Sequence, residues 1–213
     1  MTKRTPVAKR LGRPPDVDSA ATRDRLLEVA RAAFAHHGYD STTNKEIAAA
    51  AGITTGAIYH YYPSKADLYL AVYESVQRIV FNAFDSAVVG HTGLIARFGA
   101  ALDIAVELNR HDPSFAGFLV GVTAESQRRS EIARRIGSAG TTNTGFVTRL
   151  VTDAHQSGEL ADGVDLRALE DLLNLVLSGL AQFSNQTRDV TRHASTVDVL
   201  KQFLAGTLLQ RAG

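Results

Sequence analysis

From Ser19 onward the apolar residues of this chain recur at spacings of three and four, and β-branched runs with period two are missing. That pattern confines the fold to packed helices. Leu26, Leu27, Ala30, Ala33 and Phe34 form the first stripe, over Ser19 to His37, and Gly38 stops it in the manner of a C-terminal glycine. A short helix follows over about Thr43 to Ala51, capped by Thr42 or Thr43, and a third over about Thr54 to His60. Pro63 ends that one, because the residue before a proline avoids helical dihedrals. Ser64-Lys65-Ala66-Asp67 resembles a capping box and opens a helix reaching about Val88. Further helices are expected at 93–110, 114–128, 131–157, 165–186 and 195–211. The run Gly137 to Gly145 is small and polar, and is expected to kink or interrupt its helix. The expected fold is all-α, a three-helix N-terminal unit followed by a larger helical domain.

The second and third helices carry the most specific signal. Ala48, Gly52, Ile53 and Ile58 have helix-turn-helix spacing: a small residue where helices cross, a glycine in the turn, and apolar residues that lock the pair. The second helix of such a pair enters a DNA major groove. Here it offers Thr54, Thr55, Gly56, Ala57, Tyr59 and His60. Gly56 would let backbone approach DNA, and Ala57 would touch a thymine methyl. Thr54 and Thr55 would donate to a base edge or a phosphate, with Thr43 nearby on the preceding cap. Tyr59, His60 and Tyr61 suit phosphate oxygens. Tyr62 and Ile58 should pack inward while Tyr59 and His60 face out. Lys65 opposes the dipole of the helix it opens, and a phosphate bound at that helix start would explain it.

Charge is distributed to match. Residues 1–65 hold ten basic and six acidic residues, whereas the rest of the chain is net negative. The first fifteen residues hold five basic residues, three prolines and no acid, which reads as a flexible arm over 1–18. Lys9, Arg10 and Arg13 would follow phosphates or enter a narrow minor groove, and Gly12-Arg13-Pro14 resembles the core of an AT-hook.

The stretch GITTGAIYHYYPSKADLY resembles the signature of the tetracycline-repressor (TetR) family, close to G-V-S-x-G-x-L-Y-x-H/Y-F-x-S-K-x-x-L. Gly52, Ile53, Thr54, Gly56, Ile58, Tyr59, Tyr62, Ser64, Lys65 and Leu68 align without gaps. Arg25, Ala30, Phe34, Gly38, Tyr39, Thr42, Thr43, Ile47 and Ala48 resemble the family's opening. Tyr62 replaces the common Phe and Thr54 the common Ser. The likeness covers about residues 20–70. It implies a cytoplasmic, ligand-responsive transcription regulator, most commonly a repressor, that binds a palindromic double-stranded operator as a homodimer. It also implies a DNA-binding domain over 19–66, and an effector-binding and dimerisation domain over 67–213 whose last two helices form a four-helix bundle with a partner.

The C-terminal segments supply matching features. Leu172, Leu173, Val176, Leu177 and Leu180 in 165–186, with Val199, Phe203 and Leu208 in 195–211, give more apolar surface than one face needs. Ser178, Gly179 and Ala181 would let partner helices approach closely. For a small apolar or aromatic effector the candidate lining is Phe81, Phe84, Phe98, Leu102, Phe115, Phe118, Val122 and Phe146, with Asn143 and Asn174 as polar groups among apolar positions of buried helices. Other function classes find little support. Glu-x-x-His and His-Glu-x-x-His pairs and the phosphate-loop motif are missing, and there is no cysteine, so no catalytic residue, metal ligand or cofactor is expected. No apolar run approaches the roughly 20 residues of a membrane span. An architectural DNA-binding protein without an effector is the alternative reading, and the large C-terminal domain speaks against it.

Overall fold

The computed structural model describes residues 15–140 and 145–209. Among them are ten helices: α1 Pro15–Ser41, α2 Asn44–Ala51, α3 Thr55–Tyr61, α4 Lys65–Ala87, α5 Leu94–His111, α6 Ser114–Arg128, α7 Ser130–Gly140, α8 Gly145–Gln156, α9 Leu166–Thr187 and α10 Val190–Leu204. The fold is all-α, with an N-terminal helix-turn-helix followed by a larger helical domain.

Local rules set the N-terminal boundaries. Gly38 sits at φ 78°, ψ 170° and breaks the helical path inside α1. The Thr42 hydroxyl then closes that bend by donating to Gly38 O at 2.7 Å and Ala33 O at 3.2 Å. Thr43 is the N-cap of α2 in a reciprocal capping box: Glu46 N donates to its hydroxyl, and its own N–H donates to Glu46 Oε2. Gly52 takes the left-handed turn at φ 67°. Thr54 caps α3 and Ser64 caps α4, the latter exchanging bonds with Asp67 through both its hydroxyl and the Asp67 N–H.

Three spans differ from the sequence reading. The first helix begins at Pro15, inside the segment expected to be an arm, because proline is tolerated in a helix's first turn. The expected helix over 131–157 is two helices, α7 and α8, separated at the glycine- and threonine-rich run. The last helix runs from Val190 to Leu204 instead of 195–211. Asp189 caps it by accepting from Arg192 N, and Gly206, at φ 67°, stops it.

Two apolar cores result. The first gathers Leu26, Phe34, Ile47, Ile58, Leu68, Tyr69 and Val72 from α1–α4, and α6 and α7 reach into it with Phe118, Val122 and Ile132. The second joins Phe84 of α4, Phe98 and Leu102 of α5, Phe146 and Leu150 of α8, Leu173 of α9 and Val197 of α10. Ion pairs tie the later helices to the N-terminal unit: Arg31 with Asp112, Arg129 with Asp40, and Arg135 with Asp67. Among the described residues no helix is long and apolar enough to cross a membrane.

Candidate nucleic-acid interface

The α3 helix is seven residues long, and one side chain anchors it. Ile58 is fully buried in the first core, and Tyr62, just beyond the helix, is buried with its hydroxyl accepting from Arg23 Nε at 3.0 Å. The opposite face is open. Gly56 and His60 are exposed, Tyr59 is 53% exposed, and Thr55, Ala57 and Tyr61 are half-buried. The structure thus turns Gly56, Tyr59 and His60 outward, with Thr55 and Ala57 at the margins of that face, whereas Tyr61 packs against the first core.

Gly56 has no internal reason to be glycine. A Cβ added there would meet only the Thr54 hydroxyl, at 3.8 Å, which is ordinary contact. Helix propensity alone would favour alanine by about 1 kcal/mol. Gly52, by contrast, is required by its positive φ.

The polar residues at the helix ends are already engaged. The Thr43 and Thr54 hydroxyls accept from Glu46 N and Ala57 N. The Thr43 hydroxyl also donates to Glu46 Oε2 at 2.9 Å, whereas Thr54 stays exposed and keeps its hydroxyl proton for a further partner. Accepting from the Thr43 backbone N–H holds the Glu46 carboxyl below its ordinary pKa.

Lys65 is held differently from its sequence reading at a phosphate. Its ammonium donates to Tyr39 O at 2.8 Å, Thr42 O at 3.0 Å and Asp40 O at 3.3 Å, and lies over the Tyr39 ring. An ammonium has three protons, so all are spent. The charge that opposes the start of α4 is thereby favourable at the end of α1, where carbonyls converge. A phosphate at this place would have to compete with those carbonyls. Lys45 was not singled out in the sequence. It is exposed on α2, while Ile47, Ala48 and Ala51 of the same helix are buried, and that inward phase was the available signal. Lys9, Arg10 and Arg13 lie outside the described residues.

The ten expected effector residues are not gathered in one place. Phe115, Phe118 and Val122 belong to the first core, where Phe118 packs 5.0 Å from Tyr69. Phe81, Phe84, Phe98, Leu102 and Phe146 belong to the second. There Phe84 and Phe146 lie 5.2 Å apart and Phe81 joins both. Asn174, read as a polar group within a buried helix, is instead exposed on α9, because only Leu173 and Ser184 of that helix are buried. Asn143 lies outside the described residues. Two surface clefts are present instead. One, of about 1080 Å³, lies between the start of α5 and the end of α10. The other, of about 420 Å³, lies where α1, α6 and α9 meet, and none of the nine described candidates lines either. Among the described residues no cluster of three His, Cys, Asp or Glu could hold a metal.

Residues 26–72 match the family described as bacterial regulatory proteins, tetR family. The chain is 27% identical over 192 residues to the HTH-type transcriptional regulator UidR of Escherichia coli, an alignment covering 90% of this chain and 95% of that protein. It is 28% identical over 190 residues to the HTH-type transcriptional repressor Rv1474c of Mycobacterium tuberculosis, covering 85% and 92%. Its fold matches the crystal structure of the transcriptional regulator FadR from Bacillus subtilis in complex with stearoyl-CoA, with a TM-score of 0.71 at 18% identity over 83% of this chain and 96% of that one.

Proposed function

We propose that this chain, which belongs to the tetR family of bacterial regulatory proteins and is a helix-turn-helix transcription regulator and not an enzyme, is a cytoplasmic repressor that binds a palindromic operator as a homodimer and releases it on binding an effector. The observation that carries the reading is the outward face of α3. Ile58 fixes the helix, and on the far side stand Gly56, which nothing among the described residues requires, and the exposed Tyr59 and His60. Thr55 and Ala57 read base edges in the major groove. Tyr59, His60, Tyr61, Lys45 and the free proton side of Thr54 meet phosphates, and Thr43 joins them by exchanging its bond to Glu46 Oε2 for one to a phosphate. The basic segment before Pro15 adds contacts beside the operator, the DNA-binding domain runs from α1 to residue 66, and 67–213 binds effector and partner.

The dimer reading rests on α9 and α10. Leu172, Leu175, Val199 and Phe203 are each at least half exposed on these helices. A patch of this kind marks a protein contact. Two copies joined there would set half-sites about one or two helical turns apart, about 34–36 Å per turn. For the effector, the Phe81–Phe84–Phe146 cluster favours an apolar or aromatic molecule, and the stearoyl-CoA bound by the FadR neighbour is of that character at its acyl end. Such a ligand would enter by parting α4 from α8, and would act only through its differential affinity for the DNA-binding and released conformations.

The test is footprinting with the wild type and Gly56→Ala. A discrete palindrome is expected. Gly56→Ala should fold at least as stably, by up to about 1 kcal/mol, yet bind operator at least about tenfold more weakly. Broad coverage, or full affinity with alanine at this position, would remove α3 from the groove.

A further inference from the structure

The smaller cleft, about 420 Å³, is bordered by α1, the α5–α6 turn, α6 and the α9–α10 turn. Its polar lining is His36, Asn109, Asp112, Ser114, Ser184, Asn185, Arg188 and Asp189. Three features of this lining are unfinished within the chain.

Asn109 is only 8% exposed. Its carboxamide nitrogen donates to the Ser184 hydroxyl, and its carboxamide oxygen is buried with no hydrogen-bond partner. Turning the amide over would leave the nitrogen unpaired instead, so one group is orphaned either way. Buried carboxamides are ordinarily satisfied, and an orphan is costly. Arg188, at φ 51°, is the single non-glycine residue with positive φ among the described residues. It ends α9 in a left-handed conformation that glycine usually supplies. Its exposed guanidinium has no hydrogen bond or ion pair among the described residues. The carboxylates of Asp112 and Asp189 line the same cleft but form no ion pair with it. Asp112 accepts from Arg31 and from Ser114 N, and Asp189 caps α10.

The cleft therefore offers an unused cation and a buried, unused acceptor. A ligand that completes both carries an anionic oxygen for the guanidinium and a hydroxyl donor for the carboxamide. We propose that this cleft binds a small hydroxycarboxylate, with its carboxylate on Arg188 and a hydroxyl donating to Asn109. The site is separate from the apolar Phe81–Phe84–Phe146 cluster. Its position gives binding a consequence. A Cβ built on Gly117 of α6 would lie 3.3 Å from the Ala35 side chain of α1 and 3.2 Å from Asn185 of α9, so the three helices meet closely at the cleft wall. An occupant that draws Arg188 and Asn109 inward bears on α1, the helix that carries the reading head. This regulatory half rests on the DNA-binding reading above; the binding half does not.

Calorimetric titration of the full chain separates the two. Lactate, malate and gluconate are the probes. Propionate and succinate lack the hydroxyl of the first two, and sorbitol lacks the charge of the third. At least one hydroxycarboxylate should bind, with its matched control at least about tenfold weaker. Arg188→Gly relieves the left-handed backbone and should melt higher, yet lose binding by at least about tenfold. Asn109→Leu should stay folded and lose binding similarly. No heat from any of the three acids up to about 10 mM would overturn the proposal, as would binding that survives both substitutions or that sorbitol matches. Operator affinity measured with and without the binding acid reads the regulatory half. Ligand binding with unchanged operator affinity would overturn that half alone, and a chain that binds acid but no operator would overturn the DNA reading instead.

Discussion

The two cores differ in how far one chain completes them. In the first, Phe34, Tyr39, Tyr69 and Phe118 pack at centroid distances of 4.9 to 6.4 Å, Thr43, Thr54 and Ser64 cap their helices, and the Lys65 ammonium closes the end of α1. In the second, the inner residues Phe84, Phe98 and Phe146 are as well buried, but the outer helices are not. Along the 22 residues of α9 only Leu173 and Ser184 are buried, while Leu175 is 68% exposed, and Phe203 of α10 is 63% exposed. The buried carboxamide oxygen of Asn109 and both ring nitrogens of His193 also lack partners at this side, against the single Asn44 oxygen on α2 among the described residues of the N-terminal unit. A reading head has to hold one shape alone. The proposed bundle face and the cleft beside it leave surface and valences for other molecules.

Substitutions break this contrast in graded ways. The largest effect is expected from Phe118→Ala. Its ring comes from α6 and fills the first core, so its loss should cost about 3–5 kcal/mol of folding stability, seen in urea or thermal unfolding. Leu175→Asp should do the reverse. In one chain the side chain already meets water, so the melting of the isolated subunit should barely move. A charge forced into the proposed interface should weaken self-association by at least about 2 kcal/mol, roughly thirtyfold, in sedimentation. If Phe118→Ala were mild, or Leu175→Asp left association unchanged, the contrast would fail.

Lys65→Met comes next. Three carbonyls lose their donor, and stability should fall by about 1–2 kcal/mol, or about 2–4 °C per kcal/mol in melting temperature. The salt dependence of operator binding should stay unchanged. A slope reduced by about one with stability intact would return Lys65 to a phosphate. Thr43→Ala removes half of a capping box and should cost about 1 kcal/mol by thermal unfolding. The smallest effect is a pH dependence. Burial lowers the pKa of His193 from its ordinary 6.5. The unfolded chain then binds the proton more readily, so stability is full above pH 6.5 and is lost as pH falls from there through the lowered value. His193→Leu should flatten that part of a melting-temperature profile, and an unchanged profile would exclude this residue.

What was legible in the sequence follows the range of the forces involved. Gly38, Gly52, Thr54 and Ser64 stand where local backbone rules put them, and Ile58 and Tyr62 pack inward while Tyr59 and His60 face out, because helical phase alone decides it. The split of α7 from α8 was half legible, in the glycines and threonines of 137–145. The end of α10 was not, since Leu208 continues an apolar rhythm that Gly206 interrupts. Effector candidates chosen as aromatic residues on successive helices fell into two cores, because periodicity tells that a side chain turns inward but not which interior it meets. The bonds of Lys65 to carbonyls at Tyr39, Asp40 and Thr42, and the pairing of Asn109 with Ser184, span 23 to 75 positions and leave no mark in local pattern.

The claim that the second core is finished by a second copy is tested most directly by sedimentation equilibrium of the full chain at micromolar concentration. A mass twice the 22.9 kDa of one chain is predicted, reverting toward the single mass with Leu175→Asp. A wild type that sediments as a single chain would contradict it.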